Sequence, residues 1–113
     1  MGKSQKLEKA CVYGKVKKVK SLLKKGAKIT DDCMTLSIRC RYTKIVKILL
    51  KNGFDLSSDK EGWWINWAIM CNCSKKMVKI LIKYGATISN EIISFVTKCK
   101  DGKKIMKILA KVQ

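Results

Sequence analysis

The chain has 113 residues, 47% of them apolar, which suits one domain with a workable but modest core. Its net charge of +18, from 26 Lys and Arg against 8 acids, exceeds what solubility requires, so an anionic partner or screening by salt has to offset the repulsion. No apolar run approaches the ~20 residues of a membrane span, and MGKSQKLEKA lacks the apolar stretch of a signal peptide, so the chain is expected to be intracellular, cytoplasmic or nuclear.

In chain order, the first predicted helix carries LEKAC from Leu7, and the second carries VKSLLKKGAKI from Val19. The pair then recurs: MTLSI from Met34 with VKILLKNGFDL from Val46, INWAI from Ile65 with VKILIKYGATI from Val78, and ISFVT from Ile93 with a shortened MKILAKV from Met106. The second phrases start 27, 32 and 28 residues apart. Such a period signals an array in which no unit buries its apolar stripe alone and stacking creates a continuous core. Gly26, Gly53 and Gly85 stand where a left-handed residue closes the second helix. Asp32, and Ser89 or Asn90, are the expected caps of later first helices.

The phrases Leu7-x-x-Ala10 with Val19-x-x-Leu22-Leu23-x-x-Gly26-Ala27, and Asp59-x-x-Gly62 before Ile65-x-x-Ala68 with Val78-x-x-Leu81-Ile82-x-x-Gly85-Ala86, resemble the ankyrin-repeat family over almost the whole chain. The Lys- and Ile-rich wording is similar to that of ankyrin proteins of large DNA viruses, which would place the chain in a host cell. The resemblance implies an all-α solenoid of about four stacked helix-turn-helix repeats. Residues 1–113 would form a single ankyrin-repeat domain with units at approximately 3–30, 31–58, 59–88 and 89–113. The family's Thr-Pro helix start is missing because the chain has no proline, and Trp63-Trp64 occupies that slot in the third unit. Few residues follow Ile29 and Ile88 before the next helix, so the finger hairpins are expected to be short there.

All three tryptophans lie in EGWWINWAIMCN. With Ile65 and Ala68 facing inward, Trp67 is expected in the core and Trp64 over the helix entry. Trp63 is expected at the surface, as packing or as an interface anchor.

Aligned on the second helices, three positions are lysine in every unit. They are Lys17, Lys44, Lys76 and Lys104; then Lys20, Lys47, Lys79 and Lys107; then Lys24, Lys51, Lys83 and Lys111. Offsets of three and seven put these rows on one side of a helix. One reading is a solvated face whose long stems cover apolar surface. The other is a sequence-independent polyanion surface for nucleic acid, anionic headgroups or an acidic protein. The near-absence of Arg speaks for the first, because Lys offers point charges and no bidentate forks.

The resemblance also implies protein docking on the concave side, where the first helices end. Carried over to this sequence it assigns Val12, Tyr13, Arg39, Met70 and Lys98, with Trp63 from the finger. Tyr, Trp, Arg and Met are anchor types in interfaces. Cys40, Cys71 and Cys99 would form a column about 10 Å apart by helix spacing, too far for disulfides and better read as packing. Cys71-Asn72-Cys73 is not a zinc pair, and with no histidine nothing completes one; Gly2 lacks the Ser or Thr that N-myristoylation wants where Lys6 stands. No phosphate-binding glycine loop or base-activated nucleophile appears, so the expectation is a non-enzymatic interaction module without cofactors, its partner an unidentified protein.

Overall fold

The computed structural model describes residues 2–56, 62–71, 74–98 and 102–112. Among them the regular structure is entirely helical: α1 Lys3–Val12, α2 Val16–Lys24, α3 Asp31–Arg39, α4 Thr43–Lys51, α5 Trp63–Met70, α6 Lys75–Lys83, α7 Asn90–Val96 and α8 Gly102–Val112. None of these helices is long and apolar enough to cross a membrane. They fall into two compact units, Met1–Phe54 with α1 to α4 and Asp55–Gln113 with α5 to α8.

Both units are wired alike. In the first, α1 packs on α2 and α3, α3 on α4, and α2 on α4; in the second, α5 packs on α6 and α7, α7 on α8, and α6 on α8. Each unit is therefore two hairpins side by side, first helix on first helix and second on second.

The second helices repeat because their sequence repeats. Val19 and Leu22, Val46 and Leu49, and Val78 and Leu81 are buried three residues apart, and Leu109 continues the row in α8. Lysines occupy the opposite side, and this amphipathic split is what lets short helices dock. Termination follows one geometry. Gly26, Gly53 and Gly85 sit at φ of 88°, 99° and 97°, and the next residue's N–H returns to a carbonyl five residues back, as Ala27 does to Leu22 and Ala86 to Leu81, both at 3.0 Å. A residue with a Cβ would be strained at such φ, so the expected glycine caps are where this backbone needs them.

The turn inside each hairpin of the first unit is also left-handed. Gly14 has φ 67°, and the equivalent position in the next repeat holds Arg41 at φ 60°. Space adds a second constraint at Gly14, because a Cβ there would lie 2.9 Å from Cζ of the Tyr42 ring.

First helices differ more from expectation. The cap of α3 is Thr30, whose hydroxyl oxygen accepts from the Cys33 N–H at 3.3 Å, and Asp32 lies within the first turn. The chain stays extended through Thr30, and there its hydroxyl also donates to Glu8 Oε1 at 2.8 Å, pinning the start of α3 to α1. Ser89 does precede α7, but its side chain makes no cap bond, and its Oγ is buried without a hydrogen-bond partner. In α7 the inward residue is Ile92 rather than Ile93: Ile92 and Val96 are fully buried, matching Leu7 and Cys11 or Ile65 and Ile69. This one-residue shift makes Lys98 the equivalent of Cys71 and takes Cys99 out of the cysteine column.

Candidate interaction surfaces

Helix α5, WWINWAIM, has Asn66 as its only polar side chain. Its start is set by Gly62 at φ 74°, in a place so confined that a Cβ would lie 3.0 Å from the Thr87 carbonyl oxygen. From that entry, Trp64 is the indole that enters the core, 7% exposed, and Trp67 is only half-buried. The expected order of these two is thus reversed. The helix begins at Trp63, which turns Trp64 to the same inward side as Ala68 four residues on and leaves Trp67 beside Trp63. Trp63 is 46% exposed, stacked on Trp67 with ring centroids 5.6 Å apart and 13° between planes. Its other neighbour, Trp64, meets it edge-on at 4.8 Å. A surface indole clamped between two rings loses little conformational entropy on binding.

Trp63 borders an open cleft of about 490 Å³, lined also by Asn66 and by Ser89, Asn90 and Glu91 at the start of α7. Residues Asn66, Asn90 and Glu91 were not among those expected from sequence. Their contribution depends on α7 lying beside α5, which spacing alone does not reveal.

The other expected docking residues stand at the ends of first helices. Tyr13 closes α1 and is 63% exposed, Arg39 ends α3 and is exposed, and Val12 is half-buried, its carbonyl accepting a weak bond from the Cys40 thiol at 3.9 Å. In the second unit Met70 ends α5 with 69% exposure, and Lys98 is exposed beyond α7. Asp59, Cys73 and Cys99 lie outside the described residues.

All twelve lysines of the three rows are exposed. In the second unit they border a cleft of about 520 Å³ between α6 and α8. Lys75, Lys79 and Lys83 form its α6 wall, and Lys104, Lys107 and Lys111 its α8 wall. Ile82 and Ile108, both half-buried, complete the lining. Lys76, expected in this set, is exposed but gives way to its neighbour Lys75, because positions 75, 79 and 83 follow the four-residue ridge of a helix. No acidic side chain among the described residues lines this cleft.

The cysteines hold one feature that repeat columns do not show. Cys11 of α1 and Cys33 of α3 are both fully buried with their thiols interacting, and Thr30 Oγ1 lies 3.4 Å from the Cys33 Sγ. The interaction with Cys33, with burial adding to it, pushes the Cys11 thiol far up. The same interaction lowers Cys33 to about 6, against the opposing pull of burial. Both thiols are free. Their inaccessibility makes the pair a core contact between α1 and α3 and not a reactive surface group.

No curated protein sequence matches the chain. A family model described as ankyrin repeats, in three copies, matches residues 7–92. That span takes in every helix from the core residue Leu7 of α1 to Ile92 of α7, with its paired helices and glycine-closed turns. The chain therefore belongs to the ankyrin-repeat family, whose repeats are in general protein–protein interaction modules.

Proposed function

We propose that the chain is a non-enzymatic interaction module that docks a protein partner through the exposed ends of its first helices, with Trp63 as the principal anchor. The observation that carries this reading is the Trp63 indole, 46% exposed yet stacked on Trp67, at the edge of a cleft of about 490 Å³. Large aromatic side chains held rigid beside a pocket dominate binding energy when a partner covers them. Asn66, Asn90 and Glu91 around the cleft supply donors and acceptors for a polar rim. Met70 in the same unit, and Tyr13 and Arg39 in the other, are further exposed side chains of the anchoring types.

The test is affinity capture from the native cell with four folded proteins: wild type, Trp63→Ala, Arg39→Glu, and a variant with the exposed Lys20 and Lys47 changed to Gln. Partners identified by mass spectrometry are expected to be lost from the first two variants and retained by the lysine variant. Retention by Trp63→Ala together with loss from the lysine variant would reverse the assignment of the docking surface.

A further inference from the structure

The cleft between α6 and α8 is a separate feature, on second helices, and shares no described lining residue with the Trp63 cleft. We infer that it is a docking groove for an acidic amphipathic helix of a partner protein. Three observations lead there.

First, the groove is unipolar. Lys75, Lys79 and Lys83 face Lys104, Lys107 and Lys111 across one cleft of about 520 Å³, with no carboxylate among the described residues of its lining. Six ammonium groups at this density repel one another, and a bound anion relieves that repulsion. Second, the groove has an apolar element. Ile82 and Ile108 contribute to the lining and are half-buried, leaving hydrocarbon open to a ligand between two charged walls. A lysine–isoleucine–lysine cross-section complements a helix with apolar residues on one face and carboxylates on its flanks. Third, the dimensions suit such a segment. From Lys75 to Lys83 the wall runs about 12 Å along α6, roughly two helical turns.

The same observations weigh against nucleic acid and lipid. Phosphate backbones gain nothing from half-buried isoleucine, and among the described residues the lining offers no aromatic ring for base stacking and no arginine fork. A flat headgroup layer would meet lysine tips and leave the floor between the helices unused.

The full chain is tested by fluorescence anisotropy at two salt concentrations. The probes are a labelled helical peptide with leucines on one face and glutamates on its flanks, a glutamine-for-leucine version of equal length and charge, and a single-stranded oligonucleotide of equal charge. Vesicles containing phosphatidylserine, followed by co-sedimentation, form the fourth arm. The leucine peptide is expected to bind about tenfold more tightly than the glutamine version, the equivalent of two or so buried methylenes. Its affinity falls as salt rises, because exposed ion pairs are screened. It also raises the thermal midpoint of the protein, as a native-state ligand must.

Lys79→Glu with Lys107→Glu is expected to weaken the leucine peptide tenfold or more, whereas Lys20→Glu with Lys47→Glu leaves it within about twofold, on the usual scale of charge reversal. All four lysines are exposed, so these changes spare the core, and circular dichroism checks each fold. Equal binding of the two peptides, preference for the oligonucleotide or vesicles, or equal sensitivity to both lysine pairs would overturn the inference. Each of these outcomes leaves the Trp63 docking surface standing, because that surface is read out by Trp63→Ala.

Discussion

Replacing each tryptophan of α5 by alanine, one at a time, is expected to give a steep order of destabilisation: Trp64 first, Trp67 second, Trp63 last. A tryptophan buries about 150–250 Å² on folding, which at ~25 cal/mol per Å² corresponds to about 4–6 kcal/mol as an upper bound. Trp64, 7% exposed, should approach that bound, and truncations of this kind measure about 3–5 kcal/mol. Trp63 keeps 46% of its surface in water, which halves the transfer contribution, and its stack on Trp67 adds only ~0.5–1.5 kcal/mol, so about 2–4 kcal/mol is expected as an upper estimate. A chain of this length has roughly 6–17 kcal/mol of stability at ~0.05–0.15 kcal/mol per residue. Trp64→Ala therefore removes from roughly a fifth to most of it, and the milder Trp63→Ala leaves a folded protein for binding work. Urea unfolding followed by far-ultraviolet circular dichroism is the suitable assay, since the mutations remove the fluorophores. A Trp67→Ala cost equal to or above that of Trp64→Ala would refute the register assigned to α5.

Two further outcomes follow from polar contacts in the first unit. Thr30→Ala removes both the cap of α3 and the bond to Glu8, and is expected to lower the urea stability by about 1–2 kcal/mol, whereas Asp32→Ala changes it by a few tenths. Cys33 gives a pH dependence: its folded value is lowered to about 6 from an ordinary 9.0, so between these limits the unfolded chain binds the extra proton and stability rises with pH. Above 9.0 the raised Cys11 reverses the sign, because the folded thiol keeps a proton that the unfolded one loses. Unfolding midpoints measured from pH 6 to 9 should climb in wild type and lie flat in Cys33→Ala; a flat wild-type profile would remove the thiolate from the account.

How much of this was legible in the chain itself depends on which forces decide each element. The second helices could be read directly, since a repeated apolar row, a lysine face and a left-handed glycine each act locally, and α2, α4 and α6 end where Gly26, Gly53 and Gly85 say they must. In the second unit the first helices α5 and α7, of 8 and 7 residues, are shorter than the 9 and 11 of α6 and α8, and α5 is apolar on several sides, so their register is chosen by packing. Ile92 and Ile93 are adjacent isoleucines, and only the position of α7 against α5 and α8 decides which turns inward. Trp64 and Trp67 exchanged expected roles for the same reason. Thr30, Asp31 and Asp32 are three successive residues able to cap, and the choice fell to Thr30, whose hydroxyl bonds Glu8 as well as the Cys33 N–H. The Cys11–Cys33 contact escaped because its 22-residue separation is not a repeat interval; it arises from α1 facing α3. Of the proposed sites, the exposed lysines and Trp63 were visible as patterns, whereas the two clefts require neighbouring helices to create a concavity.

The register of α7 carries a consequence for anyone who would treat these repeats as interchangeable bricks. Three residues after the leading inward side chain, the earlier units hold Ala10, Ser37 and Ala68, all buried, where the last holds Phe95, 52% exposed. In the earlier units that position is closed over by packing, so a side chain much larger than Ala or Ser, such as this phenyl ring, would lack room there. Duplicating the fourth unit into the middle of the array would therefore wedge it open, and an engineer extending this protein would have to copy the third unit or trim that ring to a methyl first.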